Sequence, residues 1–350
     1  MPTGTLHIDL EAVAANWRAL DRLSASSCET AAVVKADGYG LGMTRVAPRL
    51  AKEGARAFFT ASAAEGLELR RILGPEPRIY VLYGHMAGDT SVIERADLVP
   101  MICSIDQLTR HFETLPQKPF GIQLDTGMNR LGLKQAEWAA VADLALGAGP
   151  VLIMSHLASA DEPGSQQNNA QLSAFRYMTD GLDIPRSLSA TGGTTLGPGY
   201  HFDMVRPGIG LYGGLPFKDA TPVVGLDLPV IACFDIEAGD HVGYGASWTA
   251  QTASRIATVA GGYADGLPRS LQPDLEVMAG PVACRAVGRV SMDMLTIDIS
   301  HLDADPTHVT VLDPHRTVDT VAGAAGTIGY EILTNLGQRY TRQYRGDEPA

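Results

Sequence analysis

Ala32-Val-Val-Lys-Ala-Asp-Gly-Tyr-Gly-Leu-Gly42 opens as an apolar, β-branched run and closes as a glycine-rich turn. The run reads as a buried strand and the turn feeds an alanine-containing helical segment. One lysine, Lys35, stands where the strand ends. The bland reading of such a lysine is a solvated strand end. A stem held among apolar neighbours changes that, because desolvation lowers the pKa of the ammonium and frees the amine as a nucleophile toward an aldehyde. Four residues on, beyond the first glycine, Tyr39 offers a phenol to an anionic group such as a phosphate.

Outward from this stretch, short apolar runs alternate with helical patterns. The strand candidates are 31–35, 57–61, 79–83, 98–102, 120–125, 151–156, 186–190 and 204–212. Helical spacing fills 63–73, 104–113, 135–146 and 166–179 between them. Eight strands alternating with helices predict an α/β fold, a (β/α)8 barrel. Ahead of it, residues 5–9 read as a short strand, and Asp9 as the cap of a helix with Leu10, Val13, Trp17, Leu20 and Leu23 on one face. From about Thr221 the texture changes. Residues 222–237, 255–261, 275–289 and 292–299 read as β, and only 318–336 as helical. The expected domains are therefore 1–225, the barrel, and 226–350, mainly β, with the 5–9 strand available to pair with the second. Residues 346–350 read as a frayed tail.

In such a barrel the functional groups gather at the C-terminal ends of the strands. Lys35 ends the first candidate strand, Asp125-Thr-Gly-Met-Asn-Arg130 follows the fifth, His156 ends the sixth and Arg206 lies in the eighth. Singly, each has an ordinary structural explanation, an ion pair for the arginine or a satisfied hydrogen bond for the histidine. Convergence on one face makes them a site.

The 350 residues carry a formal net charge of -12, which argues against nucleic acid or an anionic membrane surface as partner. No apolar run is long enough for a transmembrane helix, and the first residues lack the basic start and apolar core of a signal peptide. Cys28, Cys103, Cys233 and Cys284 are scattered, with neither metal-ligand spacing nor a disulfide framework. A reduced, cytoplasmic protein without a metal is expected.

The stretch around Lys35 and Tyr39 resembles the cofactor signature of bacterial alanine racemases, pyridoxal phosphate enzymes of fold-type III. Further matches follow in order. Val242-Gly-Tyr-Gly-Ala-Ser-Trp-Thr249 carries Tyr244, and Gly261-Gly-Tyr-Ala-Asp-Gly-Leu-Pro-Arg269 carries Tyr263. Gly288-Arg-Val-Ser-Met-Asp-Met294 carries Met292 and Asp293, and Gly329-Tyr-Glu-Ile-Leu333 carries Tyr330. A single tyrosine in a glycine-rich turn says little; ordered matches from about residue 5 to residue 340 around one lysine say much.

The resemblance implies a barrel with a mainly β second domain, and interconversion of L- and D-alanine that supplies D-alanine for peptidoglycan. It implies that Lys35 holds pyridoxal 5'-phosphate and is the base for the D-enantiomer. Tyr244 is implied as the acid-base group on the opposite face, with His156 and Arg206 in a chain behind it. Arg206 is also implied to face the pyridine nitrogen of the cofactor, where it cannot accept a proton. Tyr39, Thr191, Tyr330 and the backbone N–H groups of Gly208 and Ile209 are the implied phosphate ligands. Arg130 and the Met292 backbone are implied to hold the substrate carboxylate, with Tyr263, Met292 and Asp293 lining the entry. A homodimer with active sites shared between its chains completes the picture.

Three positions depart from the family pattern. Gln123 stands where a lysine, often carboxylated, usually steadies the substrate-binding arginine; the glutamine amide oxygen is expected to accept from Arg130 instead. Ala190-Thr191 stands for the usual Asn-Ser, and Leu41 for a histidine. Competing readings are a racemase of broader specificity for serine or other small amino acids, a barrel-type pyridoxal phosphate decarboxylase, and a cofactor-binding barrel without turnover. Arg206 and Tyr244 argue against the decarboxylase, and a second domain argues against the carrier.

Overall fold

The computed structural model describes residues 4–271 and 275–346. The tail reading falls mostly on 347–350, which lie outside the described residues. Backbone contacts divide the chain into two compact units, 13–211 with 215–220, and 1–12 with 212–214 and 221–350.

In the first unit seven parallel strands follow one another in sequence order: Ala32–Val33, Ala57–Thr60, Arg78–Val81, Val99–Ile102, Gly121–Gln123, Ile153–Met154 and Arg186–Ser187. The eighth, Met204–Val205, closes the ring. On one side Asp203 and Arg206 donate their N–H groups to the carbonyls of Arg186 and Ser189, at 3.0 and 2.8 Å. On the other, Ala31 and Val33 donate to Val205 and Pro207, and Met204–Val205 pairs in parallel with Glu29–Thr30. The expected (β/α)8 barrel is therefore present. Its strands are buried on both faces, as at Ala57–Thr60 and Val99–Ile102, because side chains fill the interior and helices cover the outside. The outer packing includes Phe120, Ile122, Leu133, Trp138, Phe175 and Met178. Ser62 and Ser104 cap the Ala63–Leu73 and Ile105–Thr114 helices, their side chains accepting from Glu65 and Gln107 N–H.

Three sequence readings need correction. The strand at 204–212 stops at Val205, because Pro207 cannot donate to a ladder, and Ile209–Tyr212 turns into a 3-10 helix. Arg206 consequently follows the strand instead of lying within it. The 318–336 helix is two helices, Val318–Ala325 and Gly329–Asn335, separated by a left-handed cap at Gly326 with φ 67°.

The second unit is mainly β, as expected. The thirteen-residue strand Val224–Ile236 is its spine. It pairs with Thr5–Asp9, His308–Leu312 and Ser254–Ala260, all antiparallel. Thr5–Asp9 in turn pairs in parallel with Thr341–Arg345. Its alternation buries Leu6 and Ile8 and leaves His7 on the opposite face, where it contacts Asp227 at 3.0 Å. Ser254–Ala260, Met294–Asp298, Val282–Val287 and Glu276–Ala279 continue the sheet as neighbours. Among the described residues no helix is long and apolar enough to cross a membrane.

Candidate active site

Every barrel candidate sits just past a strand's C-terminal end. Lys35 follows Ala32–Val33 by one residue. The chain there does not run straight on. Ala36, Asp37, Gly38 and Tyr39 all take the left-handed conformation, with φ between 53° and 63°. For three non-glycine residues this costs about 1–2 kcal/mol each. Side chains from outside and inside the turn hold it: Glu65 accepts from the Ala36 N–H at 2.9 Å, and Asp37 Oδ1 accepts from the Met43 N–H at 2.7 Å. Tyr39, at the end of this wound turn, is buried. Its phenol rests on Gly208, so closely that a Cβ there would lie 2.2 Å from Oη. Gly208 is needed for this close approach.

Thr191, fully buried, follows the seventh strand after three residues. Its Oγ1 accepts from the N–H groups of Gly208 and Gly210 at 3.0 and 3.2 Å. With both lone pairs engaged, the hydroxyl has only its proton to offer, which suits an anion. Tyr39, Thr191, Gly208 and the adjoining Ile209 thus come together at one point of the barrel rim.

Arg206 is buried. It donates to Ser187 Oγ, and its Nη2 donates to the Ser155 carbonyl at 2.7 Å. Burial lowers its pKa to about 10, so it stays charged at neutral pH. His156 follows Ser155, and its own carbonyl accepts from Gln171 Nε2 at 2.9 Å. Burial, then the charges of Arg206, Arg130 and Lys35, push the imidazole pKa down to about 3. His156 is therefore a neutral ring beside a fixed cation. Burial also lowers the pKa of Lys35, helped by the charge of Arg130 and opposed by Glu65. The charges of Arg206, Arg130 and Lys35 all reach His156, and that of Arg130 reaches Lys35, so the four residues form a basic cluster at the strand ends.

Arg130 is exposed, on a loop wired tightly at its base. Asp125 Oδ1 accepts from the N–H groups of Gly127, Met128 and Asn129, each at 3.0 Å, and Leu133 N donates to the Gln123 carbonyl. Gln123 is buried, and its Nε2 donates to the Leu131 carbonyl at 3.3 Å. The glutamine acts on the backbone beside Arg130, a different contact from the expected amide oxygen to guanidinium bond.

The remaining candidates lie in the second unit. Tyr244 is 71% exposed, on the Tyr244–Ala246 turn. Tyr263, Met292 and Tyr330 are also exposed, at 45%, 54% and 39%. Tyr263 N donates to the Ser291 carbonyl and Ala264 N to the Met292 carbonyl, so the Tyr263 turn and the Met292-Asp293 turn adjoin.

Sequence reasoning passed over the polar residues beneath the barrel site. Thr126, Ser155 and Gln171 link in a chain, with Thr126 Oγ1 at 2.8 Å from Ser155 Oγ and 3.2 Å from Gln171 Nε2. One signal was available: Gln171 is a polar residue on the helix stripe that also buries Phe175 and Met178.

Two family models cover the chain, the alanine racemase N-terminal domain over residues 8–216 and the alanine racemase C-terminal domain over residues 223–344. The chain belongs to the alanine racemase family. An alanine racemase of Cereibacter sphaeroides (strain ATCC 17025) is 61% identical over 344 residues, 98% of this chain and 99% of that one. One from Rhizobium meliloti is 42% identical over 97% of this chain and 96% of its own length. Among solved structures, the alanine racemase of Bartonella henselae with covalently bound pyridoxal phosphate superposes with a TM-score of 0.93 at 35% identity, covering 99% of this chain and 100% of that one. The biosynthetic alanine racemase of Pseudomonas aeruginosa gives 0.92 at 34%, with the same coverage. Family membership extends over both units, so the racemase reading outranks the decarboxylase and the isolated carrier barrel.

Proposed function

We propose that Lys35 and Tyr244 are the two bases with which this chain interconverts L-alanine and D-alanine on pyridoxal phosphate. The observation that carries the barrel half of this reading is the basic cluster of Lys35, Arg130, His156 and Arg206, beside a hydroxyl and a phenol aimed at one glycine. These residues fit the cofactor. Lys35 would hold it covalently, and Tyr39, Thr191, Gly208, Ile209 and Tyr330 would hold its phosphate. Arg206 would face its pyridine nitrogen. When bound, pyridoxal phosphate supplies an electron sink for negative charge at the substrate Cα.

The chain's own groups do the rest. Arg130 binds the substrate carboxylate with a planar fork that suits two oxygens, assisted by the Met292 backbone. Lys35, its pKa lowered by burial, carries a neutral amine more readily than a surface lysine and takes or returns a proton on one face of Cα. Tyr244 Oη does so on the other face. His156, neutral and backed by the Arg206 charge, is the group with which that phenol exchanges a hydrogen bond. Tyr263 and Asp293 border the entry.

In this reading residues 226–350 of one protomer complete the site carried by residues 1–225 of its partner, in a two-fold homodimer. Borohydride reduction of the cofactor-loaded enzyme should fix the cofactor on the peptide that contains Lys35; a label on Lys52 or another lysine contradicts it. Mixing dissociated Lys35→Ala and Tyr244→Phe chains tests the sharing. Random reassociation should restore roughly a quarter of wild-type activity, because half of the dimers then hold one intact site. A mixture that stays inactive places both groups within one chain.

A further inference from the structure

Arg339 lies nine residues beyond Tyr330 and has no place among the catalytic candidates. Its guanidinium nevertheless spans two acids. Nε and Nη2 donate to the two oxygens of Asp265 at 2.7 and 2.8 Å, and Nη1 donates to Asp293 Oδ1 at 2.7 Å. Asp265 is fully buried, and its Oδ2 also accepts from the Gly262 N–H at 3.0 Å. A buried carboxylate with three such donors is a fixed anchor. Its backbone carbonyl in addition accepts from the Gly337 N–H at 3.0 Å, which ties the turn to the chain leaving the Tyr330 helix, Gly329–Asn335.

Three separate segments meet at this guanidinium. Asp265 closes the 3-10 turn that begins with Tyr263, Asp293 is the neighbour of Met292, and Arg339 itself follows the helix of Tyr330. We propose that Arg339, clamped on Asp265, is a positioning residue that sets the spacing of Tyr263, Met292 and Tyr330, and through it the fit to a one-carbon side chain. This rests on the reading that Tyr263 and Met292 border the substrate. Only an arginine can make the bidentate contact and reach the second acid at once; a lysine keeps the charge and loses the fork.

The test compares Arg339→Lys, Tyr263→Ala and the double variant, each loaded with cofactor. Arg339→Lys should raise KM for alanine about tenfold while kcat falls by less than about threefold, and should narrow the preference for alanine over serine. The cofactor absorbance should not change. In the Tyr263→Ala background the same substitution should have clearly less effect, since two residues acting through one contact do not add. A full additive effect, or a loss in kcat with KM unchanged, overturns the proposal. If Arg339→Lys does not fold, Asp293→Asn loosens the Met292 arm alone and leaves the Asp265 clamp. It should raise KM about threefold, and no change overturns the proposal. Tyr263→Ala with unaltered KM and unaltered serine discrimination removes the underlying reading instead. Altered Tyr263→Ala beside a silent Arg339→Lys overturns the positioning role alone.

Discussion

Arg206 Nη2 donates to the Ser155 carbonyl at 2.7 Å, so the arginine just past the eighth strand fixes the backbone immediately before His156. The guanidinium also lies 5.8 Å from the centre of the Phe59 ring, on the far side of the barrel sequence. A buried cation with this many fixed partners is a structural tie, and its charge adds to the burial that keeps His156 neutral.

Arg206→Lys should show both roles. A lysine cannot reach Ser187 Oγ and the Ser155 carbonyl together, and a buried acceptor left without its donor costs about 1–3 kcal/mol. The variant should melt at lower temperature and lose about tenfold in kcat, as His156 is loosened. Unchanged melting and turnover would show that the Ser155 contact does not hold the site.

Thr191→Val removes one hydroxyl and keeps the shape. The Gly208 and Gly210 N–H groups then lose their acceptor, again at about 1–3 kcal/mol each where no water replaces it. Cofactor should dissociate faster and the protein should melt earlier, whereas Thr191→Ser should behave like the parent in both. Equal cofactor retention in the valine and serine variants would contradict a role for the hydroxyl.

Gln123 pins the Leu131 carbonyl, and no carboxylated lysine stands at that position. Activity should not respond to added bicarbonate. Gln123→Ala should raise KM for alanine more than it lowers kcat, because it frees the loop of a binding group and leaves the bases alone. Steady-state kinetics in both substrates decide this, and a kcat loss at constant KM would contradict it.

A second histidine effect lies away from the site. His85 Nδ1 and His111 Nδ1 are 3.3 Å apart, His85 Nε2 meets Thr90 Oγ1 at 2.9 Å, and His111 Nε2 meets the Lys118 carbonyl at 3.1 Å. The carbonyl fixes the proton of His111 on Nε2, so its Nδ1 accepts and His85 Nδ1 donates. Burial, then the neighbouring His111 and Arg110, lowers the His85 pKa to about 4. The unfolded chain, at the ordinary value of about 6.5, therefore binds more protons below neutrality, and stability falls as pH drops from about 6.5 toward 4. His85→Gln keeps a donor and an acceptor without titrating. Its melting temperature should fall less between pH 7 and pH 5 than that of the parent; an equal fall would place the acid sensitivity elsewhere.

The sequence disclosed the architecture well where pattern is local. The 63–73 and 166–179 helices have the bounds their periodicity predicts, and the alternation of runs and helices yields the barrel. Local pattern failed where distant groups decide the backbone. Nothing in Lys-Ala-Asp-Gly-Tyr requires Ala36 and Asp37 to turn left-handed; Glu65, twenty-nine residues away from Ala36, supplies one of the bonds that hold them. The strands at His308–Leu312 and Thr341–Arg345 were passed over for a similar reason. Their alternation is short and half polar, and partners far along the chain, Val224–Ile236 and Thr5–Asp9, make them strands. The candidate site residues stand in motifs, whereas Arg339, which binds Asp265 and Asp293, and Gln171, which binds the His156 carbonyl, carry no motif of their own.

The most direct test of the two-base assignment is exchange of the Cα hydrogen with deuterated solvent in Tyr244→Phe. With its phenol gone, the enzyme should still exchange D-alanine through Lys35, without inverting it, and should leave L-alanine almost untouched. Exchange of L-alanine at the parent rate in this variant would contradict the assignment of Tyr244 as the second base.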